Sequence, residues 1–147
     1  NVINRVINGL PIQLYGNGKN IRNWTYVEDT VNALILIMKF KGVGQEFNIA
    51  SDQLISNINV IKHIINDKNI SKKYQKQHIE YIIDRPGHDF RYSLSSKKFK
   101  ITFKKELKIE FEIGIKKTIN WYLKNDTWLE ITNRNYKFIR EGMKNEI

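Results

Sequence analysis

Apolar positions along the chain change period several times, and each change marks an element. "VINRVING" reads as the last turns of a helix that begins upstream. "IQLY", Ile12 to Tyr15, then reads as a short strand. "GNGKN" supplies glycines and asparagines that tolerate positive φ in a tight turn. "IRNWTYV" follows as a β-branched and aromatic strand, so the pattern predicts a hairpin-like excursion.

From Glu28 the period becomes helical. Val31, Leu34, Ile35 and Met38 fall at i, i+3, i+4 and i+7, one apolar face. Glu28 and Asp29 stand at the start, where carboxylates suit the exposed N–H groups and the helix dipole. Gly42 and Gly44 close this helix. "EFNIA" reads as a short buried strand, and "SDQLIS" leads into a second helix. Asn57 is its expected N-cap, with Ile58, Ile61, Ile64 and Ile65 turned inward. "NISKKYQKQ" reads as loop, and "HIEYIID" alternates like a strand running into "RPGHDFRY". Ser95 or Ser96 can cap a short helix at "SKKFK". Glu110 to Lys124 is the last strong helix, with Ile115, Ile119, Tyr122 and Leu123 along one side. Past Asn125 the pattern fades.

Short strands alternating with helices indicate an α/β class. Three or four strands build no continuous parallel sheet, so the sequence reads as part of a larger domain. Residues 1–127 form the organised portion and residues 128–147 a tail.

Composition narrows the choice. No apolar run reaches the roughly 18–20 residues a membrane-crossing helix needs, and "NVINRVINGL" has no signal-peptide pattern. Cysteine is absent, which excludes disulfides and thiolate metal sites. His63, His78 and His88 show no ligand spacing. A cytoplasmic, metal-free protein without a membrane partner is expected. The net charge of +10 would suit a nucleic-acid-binding module. The lysines, however, are spread over "KFK", "SKKYQKQ", "SSKKFK", "FKKELK" and "IKKTI" with no dense block, in a chain generally rich in Ile, Asn and Lys. No nucleic-acid partner is expected.

Chemistry concentrates at two turns. Arg22 follows "GNGKNI" and Arg85 stands in "DRPGHD". A planar guanidinium offers two parallel N–H donors that match phosphate. Either residue alone also fits a surface arginine paired with a nearby acid. In "DRPGHD", Pro86 fixes φ and Gly87 frees the turn, crowding Asp84, Arg85, His88 and Asp89 onto one corner near Tyr92. Tyr15 and Lys19 fit Tyr-x-x-x-Lys, but Gly-Asn-Gly lies between them and the pair cannot share a helix face. Gly16-x-Gly18 lacks the strand–turn–helix context and third glycine of a dinucleotide fingerprint.

Taken together, "YGNGKNIRNWTYVEDTVNAL", "GVGQEFNIAS", "SNINVIKHI", "DRPGHDFRYSLSSKK" and "EIGIKKTINWYLKNDTWL" resemble, in that order, the second half of the dTDP-glucose 4,6-dehydratases. These belong to the extended short-chain dehydrogenase/reductase family. The resemblance runs from about Leu10 to Leu129, and "DRPGHD" with the following "RY" is its most specific part. It implies the substrate-binding C-terminal part of a Rossmann-type lyase of deoxysugar biosynthesis, with the NAD-binding half lying before Asn1. It also implies a homodimer when full length.

In such enzymes NAD oxidises the sugar at C4, water leaves across C5–C6, and the hydride returns at C6. The resemblance assigns that chemistry, and NAD itself, to the preceding half, so no catalytic or cofactor-binding residue is expected in this chain. By the same resemblance Gln13, Leu14 and Tyr15 line the base and ribose site, and Arg22 binds the diphosphate side of a dTDP-sugar. Asn57 lies in that site, Asp84, Arg85, Pro86, Gly87 and His88 form the phosphate-contacting loop, and Tyr92 stands beside them. Gln13, Asn23 and Phe90 depart from the residues usual at those positions. A related epimerase or decarboxylase shares only the less specific motifs, and an inactive split product is the remaining alternative.

Overall fold

The computed structural model describes residues 1–71 and 78–135. In chain order the elements are α1 (Val2–Ile7), β1 (Ile12–Tyr15), β2 (Ile21–Asn23), α2 (Val27–Met38), β3 (Leu54–Ser56), α3 (Asn57–Ile65) and α4 (Lys68–Ser71). There follow β4 (Ile79–Ile82), β5 (Arg91–Tyr92), α5 (Lys97–Phe103), α6 (Phe111–Lys124) and α7 (Asp126–Asn135).

The strands form two small sheets. β1 and β4 pair in parallel, with Ile12 opposite Ile79 and Tyr15 opposite Ile82. β2 is the middle strand of the second sheet, antiparallel to β3 and parallel to β5. Two stretches of chain therefore run side by side in one direction: β1 through its turn to β2, and β4 through its loop to β5. The Gly16 N–H donates to the Ile82 carbonyl and the Ile21 N–H to the Phe90 carbonyl, both at 2.8 Å. Both ends of turn 16–20 are thereby pinned to loop 83–90.

The expected hairpin does not form, because β1 and β2 belong to different sheets. Gly16 and Gly18 still turn the chain, at φ +55° and +69°. The turn is held by α3 rather than by a ladder between its flanking strands. Ile58 N–H donates to the Gly18 carbonyl and Asn57 N–H to the Asn20 carbonyl. A Cβ on Gly18 would lie 2.5 Å from Leu14 Cδ2 and 3.1 Å from Ile58 Cβ, so only glycine lets the turn approach this closely.

The core forms where alternation on β1 meets helical periodicity. Ile12 and Leu14 point inward from β1 against Val60, Ile61 and Ile64 of α3, with Val6 of α1 and Ile119 of α6 closing it. The inward faces expected for α3 and α6 are present: Ile58, Ile65, Ile115, Tyr122 and Leu123 pack around these residues. A smaller cluster joins Phe99 and Phe103 of α5 to Phe40 and Phe47, with ring centroids 4.9–5.8 Å apart along the chain of contacts.

Elsewhere local pattern and structure part. α2 forms, but its apolar stripe faces outward: Val31, Leu34, Ile35 and Met38 are exposed, while Asp29 and Ala33 are buried. The Asp29 carboxylate accepts the Ile109 N–H at 2.7 Å, which ties the Asp29–Ala33 side of the helix to the chain before α6. "EFNIA" is not a strand. Ala50 is buried, but its N–H and C=O both pair with the Ser96 hydroxyl, at 2.8 and 2.6 Å, instead of a ladder. That use of its hydroxyl also explains why Ser96, though the N-cap of α5, makes no side-chain cap bond. The N-cap of α3 is Ser56, with Asn57 the first helical residue.

Part of "NISKKYQKQ" is helical, as α4; residues 72–77 and 136–147 lie outside the described residues. Past Asn125 a helix, α7, continues the chain. Leu129 is buried, and Trp128 sits edge-on to Trp121 and Tyr122 at 5.1 and 6.1 Å.

Ile119 is fully buried while Lys116, on the same helix, is exposed. Ile119→Ala is expected to cost about 2–5 kcal/mol, whereas Lys116→Ala stays within about 0.5 kcal/mol. Denaturant unfolding of the two variants measures the difference; equal effects would contradict this placement of the core.

Candidate functional site

The parallel course of turn 16–20 and loop 83–90 gathers side chains far apart in sequence. His88 lies at the centre, its side chain 12% exposed. Its Nδ1 is 2.7 Å from Asp84 Oδ1. Its Nε2 is 2.9 Å from Arg22 Nη2 and 3.2 Å from Arg85 Nη2. Two arginines, one from strand β2 and one from the loop after β4, thus meet at one nitrogen.

The two guanidinium groups differ in surroundings. Arg22 is half-buried and largely engaged with backbone: Nη1 donates to the Ile21 carbonyl at 2.7 Å, and Nη2 donates to the Asp89 carbonyl at 2.8 Å. Arg85 is exposed. Its guanidinium stands 5.3 Å from the centroid of the Tyr15 ring, a cation–π contact that props the group while leaving it toward solvent. Of the pair, Arg85 is the one open to solvent.

The loop itself is braced locally. Asp84 Oδ1 accepts the Arg85 N–H at 2.8 Å, and the His88 N–H returns to the Arg85 carbonyl at 3.2 Å. Gly87 takes φ +72° at the corner. A Cβ on Gly16 would stand 3.1 Å from Asp84 Oδ2, so a bare glycine in the turn lets the acid sit against it. The Asn20 amide lies 3.4 Å from both His88 Nδ1 and the Asp89 carbonyl.

The remaining sequence-predicted residues fall around this cluster unequally. Tyr92 lies beside Arg22 in the β2–β5 register and is exposed, as are Pro86 and Gly87. Gln13 is exposed on β1, whereas the Leu14 side chain is in the core. Asn57 is joined to the turn through its backbone bond to Asn20. Asn20 is the residue that the sequence reading missed; its place in "GNGKN" marked it only as a turn former.

Asn23 has a structural use. Its Nδ2 donates to the Ser51 carbonyl at 2.6 Å and its Oδ1 accepts the Leu94 N–H at 2.8 Å. An amide supplies both roles at once; a carboxylate only accepts.

An apolar groove of 560 Å³ between Trp24, Tyr26 and α6 shares no residue with the arginine cluster, and its lining offers no cation to a phosphate. Among the described residues no group of three His, Asp or Glu is arranged to hold a metal ion. No helix among them is long and apolar enough to cross a membrane.

The hydrogen bond from His88 is the largest of the influences holding the Asp84 carboxyl below its ordinary value of 3.8; partial desolvation opposes it, and the Arg85 N–H adds to it. Between the lowered folded value and 3.8 the unfolded chain binds more protons, so stability rises with pH there. Asp84→Asn is therefore expected to be less stable than the parent at neutral pH, with the gap closing as pH falls through the lowered value. Unfolding curves across a pH series measure it. A gap unchanged well below the ordinary carboxylate range would contradict the assignment.

Comparison with known proteins follows the same lines. The family model for GDP-mannose 4,6 dehydratase matches residues 1–118. A dTDP-glucose 4,6-dehydratase of Xanthomonas campestris pv. campestris is 33% identical, the match covering 96% of this chain and 42% of the relative. One of Escherichia coli is 41% identical, covering 86% of this chain and 37% of the relative. Among solved structures, dTDP-glucose 4,6-dehydratase from Bacillus anthracis in complex with NAD superposes with a TM-score of 0.77 at 34% identity, over 88% of this chain and 40% of that one. UDP-glucose 4-epimerase from Thermotoga maritima with UDP-glucose gives 0.73 at 27% identity, over 84% and 38%. The fold is thus the α/β, Rossmann-type fold of the extended short-chain dehydrogenases. The chain spans about two fifths of the length of the curated relatives it matches.

Proposed function

The chain belongs to the GDP-mannose 4,6 dehydratase family, and we propose that it is the part of a nucleotide-sugar 4,6-dehydratase that grips the substrate's diphosphate. The proposed overall reaction converts dTDP-glucose to dTDP-4-keto-6-deoxyglucose. One observation carries the reading: Arg22 of strand β2 and Arg85 of the loop after β4 converge on His88 Nε2. Two guanidinium groups held together beside one carboxylate, Asp84, leave an excess of positive charge at a rigid corner, which is what an anion needs.

The choice of dTDP-glucose rests on the curated relatives, which carry that substrate in their names. Fold alone does not separate dehydration from epimerisation, since the epimerase from Thermotoga maritima superposes nearly as well as the dehydratase. The "DRPGHD" loop, the most specific part of the resemblance, favours the dehydratase.

These residues do not fit a nicotinamide dinucleotide. Tyr15 ends a strand and Lys19 stands in the following turn, so the pair shares no helix face. Gly16 and Gly18 lie between two strands rather than between a strand and a helix. In the proposal NAD is held elsewhere in the enzyme, and no redox step is assigned here. What this chain contributes is position. Holding the diphosphate uses binding energy remote from the reacting carbons to orient the sugar.

Arg85→Lys keeps the charge but loses the planar fork. In the full-length protein it is expected to weaken dTDP binding by about 1–3 kcal/mol, and Arg85→Ala by more. Calorimetric titration decides: a change below about 0.5 kcal/mol, as at most exposed positions, would make Arg85 an ordinary surface residue. The 147-residue chain alone, given dTDP-glucose and NAD, is expected to yield no 4-keto-6-deoxy product, and product formation would overturn the division of labour.

A further inference from the structure

Resting on the diphosphate reading above, we propose that His88 is a positioning residue. Asp84 holds it in the neutral Nδ1–H form, and the Nε2 lone pair it thereby presents sets where Arg22 and Arg85 stand.

The assignment follows from what each group can do. A guanidinium only donates hydrogen bonds. Arg22 and Arg85 both approach Nε2, at 2.9 and 3.2 Å, so that nitrogen carries no proton. The imidazole's one hydrogen is therefore on Nδ1, where Asp84 Oδ1 accepts it at 2.7 Å. The orientation of one ring nitrogen fixes the role of the other. The Asn20 amide, 3.4 Å from Nδ1, is too long to compete with the carboxylate for that role.

The same geometry addresses the electrostatic problem of the corner. Two like charges drawn to one point repel each other. On the Arg22 side the Ile21 and Asp89 carbonyls offset this. Arg85 has the Tyr15 ring and Nε2. With the lone pair removed, Arg85 keeps its aromatic support but loses the acceptor that fixes the direction of its fork. His88 therefore acts on the ligand through Arg85. The ring itself is mostly covered, with only 12% of its side chain exposed.

The test has two arms in the full-length protein. Imidazole nitrogen chemical shifts of His88, measured without ligand at neutral pH, are expected to show Nδ1–H; the Nε2–H form or an imidazolium would overturn the proposal. Titration with dTDP-glucose then compares His88→Gln, whose amide oxygen can replace the lone pair, with His88→Leu, which has no acceptor. His88→Leu is expected to lose about tenfold or more in affinity, while His88→Gln stays within about threefold of the parent. Equal losses in both variants, at equal melting temperature, would mean that the ring merely fills space. If the parent itself binds no dTDP-glucose, the diphosphate reading fails, and the tautomer still decides whether His88 positions the arginines.

Discussion

Two parallel strand pairings govern the arrangement of this chain. β1 with β4 and β2 with β5 make the segment through residues 12–23 run beside the segment through residues 79–92. Backbone bonds at Gly16 and Ile21 then fasten the intervening turn to the intervening loop at both ends. Everything at the site depends on that constraint, because neither turn alone brings two arginines together. The core supports it from beneath: Ile12 and Leu14 anchor β1 against α3, and α3 holds the turn through the Gly18 and Asn20 carbonyls.

The polar cluster at the corner follows an order of burial. Arg22 is engaged with backbone carbonyls, His88 is mostly covered, and Arg85 stands outermost on the Tyr15 ring. Such an arrangement places fixed donors and acceptors under a single exposed guanidinium. For the proposed diphosphate ligand, much of the cost of ordering the grip is then met before binding, which favours affinity. Asp84 contributes from below by accepting from both the imidazole and the Arg85 backbone.

Much of this was readable in the chain, and the failures share a cause. β1, α3 and α6 have strong periodicity that tertiary contacts reinforce, so they form where the pattern places them, with the inward faces of α3 and α6 as expected and the N-cap of α3 at Ser56 rather than Asn57. The hairpin was misread because "GNGKN" signals a turn but says nothing about which strand pairs with which; pairing here is long-range. "EFNIA" looked like a strand because its composition suits one, yet a single serine hydroxyl satisfies the buried Ala50 backbone. The apolar stripe of α2 is legible as a helix face, but its spacing does not say which way that face turns; it is exposed, while Asp29 and Ala33 face inward. At the site, Arg22 and the "DRPGHD" loop were visible as chemistry, but their meeting at His88 Nε2 depends on the two parallel pairings and had no local signature.

Whether this corner holds the diphosphate of a nucleotide sugar is tested most directly by a crystal structure of the full-length protein with dTDP bound. Phosphate oxygens are expected within hydrogen-bond distance of the Arg85 guanidinium, with Asp84 and His88 still paired behind it. A diphosphate bound away from Arg85, with the corner open to solvent, would contradict it.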